Sequence, residues 1–187
     1  MKLSKTSRTL LLGANIWYFG EGMLGPLYAI FTERIGGDIL DITWAWSAYL
    51  ICTGLFYILV GRLFNRKKYK TKLLFTGYLL NALLTFCYLL VDTPIELFLV
   101  QIGLGVAEAI GTPVWDALFA ASLTKEHDTY AWGLSTGQSQ LVSGIAFAVG
   151  GLLAYYYSFD LLFIIMGCVQ VVAAGVVFQL MKNNSEI

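Results

Sequence analysis

The stretch Phe159–Met181 reads FDLLFIIMGCVQVVAAGVVFQLM, with one charge, Asp160, at its start. A bilayer is crossed by about 20 mainly apolar residues in a helix, and 23 residues at a rise of about 1.5 Å each span about 35 Å. In hydrocarbon the backbone amides and carbonyls must bond among themselves, so such a run is helical unless it closes a barrel. Barrel strands alternate between two faces over about ten residues. This run is far longer and shows no alternation.

Outward from it lie five more apolar runs, at roughly 9–31, 42–63, 72–91, 95–123 and 130–156. The breaks between the six are short and polar or turn-rich: ERIGGD, NRKKYK, VDTP, TKEHD and YSFD. The fold expected is therefore an all-α membrane protein with six transmembrane helices in a single domain over residues 1–187. Composition agrees, since 58% of residues are hydrophobic and 13% charged, where a soluble domain carries about 25% charged residues. Eleven Tyr and five Trp suit the membrane interface, which favours amphipathic rings. The opening MKLSKTSR with the apolar run behind it has the outline of a signal peptide. No small-x-small pattern closes that run, so it is read as a retained first helix.

Several function classes are disfavoured. The formal net charge is zero, which implies no nucleic-acid partner. Cys52, Cys87 and Cys168 each sit inside an apolar run and form no C-x-x-C pair, so neither a disulfide framework nor a metal site is expected. His127 is the sole histidine. No Walker loop or other phosphate-cradling motif appears, and no cofactor is expected. Gly133-Leu-Ser135-Thr-Gly137 matches G-x-S-x-G, but a serine nucleophile needs a base within reach. His127 lies eight residues earlier in a loop, so no enzyme activity is expected.

Lys and Arg orient a membrane chain, because cytoplasmic loops collect them. Lys2, Lys5, Arg8, Arg62, Arg66, Lys67, Lys68, Lys70, Lys72, Lys125 and Lys182 fall on one side of a six-span topology. Arg34 alone falls on the other. An 11:1 division places both termini in the cytoplasm, and the expected location is the cell membrane.

The loop after the second run reads Gly61-Arg-Leu63-Phe-Asn65-Arg66-Lys67-Lys68-Tyr-Lys70. It resembles the G-x-L-x-D-R-x-G-R-K loop between the second and third helices of major facilitator superfamily transporters, matching at Gly61, Leu63, Arg66 and Lys70. Asn65 stands where that family has an acid. The fourth run carries Gly103, Gly105 and Gly111-Thr-Pro113, as many members do. The fifth carries Ala146-Phe147 where the antiporter branch has a Gly-Pro pair. The resemblance covers nearly the whole chain and implies one half of a transporter that normally has two six-helix halves. A single half cannot enclose a cavity between halves, so the resemblance implies a parallel homodimer, in which a true two-fold axis replaces the pseudo-symmetry. A partnership with a second half, or a piece cut from a longer chain, stays open. Met1 and the tail NNSEI read as natural ends.

Charges inside a bilayer cost at least about 2.5–3.5 kcal/mol and are functional candidates by default. Glu21 lies about 18 Å into the first run and Glu108 about 20 Å into the fourth from the opposite side, by helical rise. Both fall near the midplane. Trp17, Glu21 and Tyr28 share one helical face, as do Gln101, Glu108, Thr112 and Trp115 on the fourth run. In the resembled family the first and fourth helices line the central cavity, so these seven form the expected solute- or proton-binding set. Each carboxyl could load a proton, face a cationic solute, or bond a neighbouring helix in its neutral form. With no Lys or Arg at membrane depth to pair with either carboxyl, a proton or cation is favoured over an anion.

Asp116, two turns beyond Glu108, is a candidate to latch a gating loop through Arg66 or Arg62, with Gly61 and Asn65 in the same device. Gly133, Gly137, Gly144 and Gly151 line one face of the fifth run. Small residues let helices approach closely, either within the bundle or against a partner half. The function expected is a secondary transporter half that moves a small solute by alternating access, proton-coupled through Glu21 and Glu108. The competing expectation is a non-transporting membrane component that binds or stabilises another membrane protein.

Overall fold

The computed structural model describes residues 3–64, 67–124 and 128–184. Among these there is no strand. Seven helices follow one another: α1 (Lys5–Gly22), α2 (Leu27–Arg34), α3 (Ile39–Leu63), α4 (Lys67–Cys87), α5 (Pro94–Ser122), α6 (Asp128–Tyr156) and α7 (Phe159–Asn184). A 3-10 turn over Tyr88–Leu90 closes α4. The five helices α3 to α7 contain segments long and apolar enough to cross a membrane.

The first apolar run is divided, which corrects the expectation of one unbroken helix over 9–31. α1 ends at Gly22, and α2 starts after Pro26. Proline has no N–H to donate, and its ring clashes with the preceding turn. The chain therefore tightens around it. Leu24 N bonds Glu21 O at 3.4 Å, Leu27 N bonds Leu24 O at 2.7 Å, and Tyr28 N bonds Gly25 O at 3.2 Å. These i→i+3 bonds turn the chain without leaving the run.

Local signals fix the other boundaries. Gly36 (φ +83°) makes the turn after α2. Asp38 then caps α3 in a reciprocal box with Asp41, which satisfies amides that the first helical turn leaves open. Thr93 and Glu96 cap α5 in the same way, with Pro94 at its first position. α4 begins at Lys67, a turn earlier than the apolar run suggests.

Neighbouring contacts set helix direction. Gly13 faces Val177 and Gly20 faces Gln170, so α1 and α7 are antiparallel. α4 and α5 are antiparallel too, with Gly77 opposite Gly111 and Leu84 opposite Gly103. α3 and α5 run parallel, through Thr53 to Gly105 and Tyr57 to Glu108. α1 and α6 run parallel through Asn15 to Gln138 and Gly22 to Ala146. The described ends of the chain thus meet at one end of the bundle. Two apolar clusters fill it. One contains Trp17, Tyr78, Trp115 and Phe119, and the other contains Met23, Phe31, Tyr88 and Phe163.

Packing within the bundle does not involve the glycine face expected on the fifth run. A Cβ added at Gly133, Gly137, Gly144 or Gly151 would meet nothing within 4 Å. The close approaches lie elsewhere. A Cβ at Gly105 would stand 2.6 Å from Tyr49 O, one at Gly20 2.8 Å from Gln170 Cγ, and one at Gly150 would collide with the Met23 carbonyl. α6 thus meets the turn that ends α1 through Gly150, on a different face. α3 and α6 are the least covered of the long helices.

Candidate functional site

Two cavities open into the bundle. The first, about 360 Å³, is lined by Trp17 and Tyr18 of α1, Tyr78 of α4, Glu108, Thr112, Trp115 and Asp116 of α5, and Trp132 of α6, among others. The second, about 250 Å³, is lined by Glu21 of α1, Tyr28 of α2, Trp46 of α3, Thr85 of α4, Gln101 of α5 and Gln170 of α7, among others. Tyr18, Asn81 and Ser143 line both, so the cavities adjoin.

All seven residues of the expected binding set line one cavity or the other. Trp17, Glu108, Thr112 and Trp115 line the first, and Glu21, Tyr28 and Gln101 the second. The break at Pro26 does not remove Tyr28, because α2 continues on the same side of the bundle. Glu21 is the penultimate residue of α1, so its carboxyl sits beside the turn.

Glu108 is held from α3. The Tyr57 hydroxyl donates to Glu108 Oε1 at 2.8 Å, while Oε2 is buried with no hydrogen-bond partner among the described residues. Trp115 is anchored through Nε1, which donates to Leu10 O at 3.1 Å, and it stacks on Phe119 at 4.8 Å between centroids. Around the second cavity the Thr85 hydroxyl donates to Gln170 Oε1 at 2.7 Å. Tyr28, only 7% exposed, has a buried hydroxyl without a partner among the described residues.

Asp116 lines the first cavity and is exposed there. Of the latch expected of it, Asn65 and Arg66 lie outside the described residues, and Arg62 is exposed. Gly61 is exposed, with open space where a Cβ would be. Among the described residues no cluster of three or more His, Cys, Asp or Glu could hold a metal ion.

Sequence reasoning missed Tyr57, Tyr18 and Ser143. Tyr18 precedes Glu21 by three residues and follows Trp17, so helical spacing alone could have placed it at the cavity. Tyr57 carries no such signal, because it sits among apolar neighbours on a helix with no acid of its own nearby.

The rims are open. Trp132 is 37% exposed and Trp46 49%, and Thr136 and Gln140 beside them are exposed.

The family model described as Major Facilitator Superfamily matches residues 10–186. An uncharacterised MFS-type transporter of Methanocaldococcus jannaschii is 24% identical over 184 residues, covering 97% of this chain and 47% of the relative. The chain therefore spans about half the length of that curated relative.

Proposed function

The chain belongs to the major facilitator superfamily, and from that premise we propose that it works as one half of a secondary transporter, moving a small solute by alternating access. The observation that carries the reading is the pair of adjoining cavities, each with a carboxyl on its wall, Glu108 of α5 in one and Glu21 of α1 in the other. Carboxyls inside a bilayer are retained for function far more often than for stability.

The open rims favour completion by a second half. A second copy of this chain, parallel to the first, supplies one. The uncovered faces of α3 and α6, with Gly133, Gly137, Gly144 and Gly151 presenting no side chain, would allow close helix contact across a two-fold axis. The 11:1 division of Lys and Arg supports cytoplasmic termini in both copies, and hence parallel pairing in the cell membrane. Glu21 and Glu108 would carry the proton, since among the described residues no basic side chain lines either cavity.

The purified protein in proteoliposomes would be screened against labelled amines, sugars and amino acids under an imposed proton gradient. Gradient-driven uptake that is lost in Glu108→Gln, with folding intact, supports the reading. Unchanged uptake in that variant removes Glu108 from it. Pairing is tested by oxidising Gly137→Cys in a cysteine-free background in membranes, where a disulfide-linked dimer is expected.

The same uncovered faces also favour a second reading, a non-transporting component that holds a different membrane protein. Uptake by the purified chain alone excludes it.

A further inference from the structure

We infer that the solute of these cavities is an organic cation, its ammonium group seated on Glu108 and its apolar body against the Trp17, Trp115 and Trp132 rings. The inference rests on reading the cavities as the solute site.

Charge comes first. Glu21, Glu108 and Asp116 line the two cavities, and among the described residues no Lys, Arg or His does. An anion would meet acids without a compensating base. A neutral solute would leave any ionised carboxylate there uncompensated in a poorly solvated site, where charge is costly unless paired.

The second observation is an unpartnered acceptor. Glu108 Oε1 already takes the Tyr57 hydroxyl, while Oε2 is buried and takes no bond among the described residues. A buried acceptor left unmade is expensive, and a donor with positive charge makes the stronger bond. An ammonium group is such a donor. The wall around it is aromatic: Trp17, Tyr18, Tyr78, Trp115 and Trp132 line the same cavity. Trp115 has spent its one N–H on the Leu10 carbonyl, so what it offers a solute is ring surface, which attracts cations.

The second cavity repeats the pattern. Among the described residues its one carboxyl, Glu21, shares the space with Trp46, Tyr49 and Tyr28, and the Tyr28 hydroxyl is again without a partner among them. At about 360 Å³ the first cavity lies near the small end of ligand pockets, about 300–1,000 Å³. It therefore fits an amine with one aromatic ring better than a large drug.

The test is binding to the full chain in lipid nanodiscs, read by tryptophan fluorescence with no gradient present. The probes are 2-phenylethylammonium, its neutral counterpart 2-phenylethanol, the anion phenylacetate, and methyl β-glucoside. Saturable binding of the ammonium compound is expected at least tenfold tighter than that of the alcohol, with no binding of phenylacetate. Glu108→Gln should weaken the ammonium probe at least tenfold, and Glu108→Asp should retain most of it. Equal affinity for ammonium and alcohol overturns the inference in the unmodified protein, whatever the variants do. So does binding of the glucoside alone, or of none of the four. Transport is judged separately. An amine that binds without being accumulated by proteoliposomes defeats the transport reading and leaves the site standing. Uptake of a neutral solute with no amine binding does the reverse.

Discussion

Replacing Gly77 by alanine should loosen the α4–α5 crossing, and its size follows from the contact. A Cβ at Gly77 would stand 2.7 Å from Gly111 N, 2.8 Å from Gly111 Cα and 3.0 Å from Ala107 O. Carbon contacts settle at about 3.5–4.0 Å, so the helices must part by about 1 Å. Every obstacle is backbone, and no side chain can rotate away. Overpacking of this kind costs about 1–3 kcal/mol, and alanine returns up to about 1 kcal/mol through helix propensity. The difference spans about 0–2 kcal/mol, and because no side chain can yield the loss falls in its upper half, about 1–2 kcal/mol, or about 5- to 30-fold in the unfolding equilibrium at about 1.4 kcal/mol per tenfold. Gly137→Ala on α6 is the matched control, since a Cβ there meets nothing within 4 Å. It should leave the stability of the single chain unchanged or slightly raised. The assay is SDS-induced unfolding of both variants in a mild detergent, followed by circular dichroism. If Gly77→Ala is neutral, or Gly137→Ala costs as much in the monomer, the division between packed and open glycines is wrong.

Thr85→Val removes the hydroxyl that reaches Gln170 Oε1 at 2.7 Å and leaves a buried amide oxygen short of a donor. A loss between about 0.6 kcal/mol, typical inside membranes, and about 2 kcal/mol is expected from the same unfolding titration, with Thr85→Ser restoring it. Tyr57→Phe takes away the one hydrogen bond to the Glu108 carboxyl among the described residues. The expected outcome is unchanged circular dichroism and at least a threefold fall in gradient-driven uptake, and uptake at the unmodified rate would show that Glu108 needs no positioning from α3.

The helices were legible because lipid imposes a length. Six apolar runs and five short breaks fall out of that one constraint, and the charge division adds the end at which the termini meet. The break in the first run was not legible from apolarity, which continues through it. Gly25-Pro26 carried the signal, but a proline inside a span does not by itself distinguish a kink from two separate helices. At the site, the 3.6-residue period gathered Trp17 and Glu21 on one helix and Gln101, Glu108, Thr112 and Trp115 on another. Periodicity orders residues on a single helix and says nothing about which helix stands opposite. That is why Tyr57 escaped notice, and why the α6 glycines read equally as internal packing or as an outer face. The distinction depended on Gly150, which is set off from that stripe and meets the Met23 carbonyl.

The placement of polar bonds bears on how such a half could move. Thr85 to Gln170 ties α4 to α7, Asn15 to Gln138 ties α1 to α6, Thr53 to Gly105 ties α3 to α5, and Trp115 to Leu10 ties α5 to α1. Glycines at Gly20, Gly77 and Gly105 bring the same helices into backbone contact. Every long helix is therefore joined to a neighbour by a contact that sliding would break. The outer faces of α3 and α6 carry no comparable fastening. Deforming the bundle means parting these bonds together, whereas tilting it against a partner over those smooth faces parts none of them. In the proposed transporter, access would thus alternate by rocking one whole half against the other, and the two cavities would open and close at their rims while Glu108 and Tyr57 keep their distance.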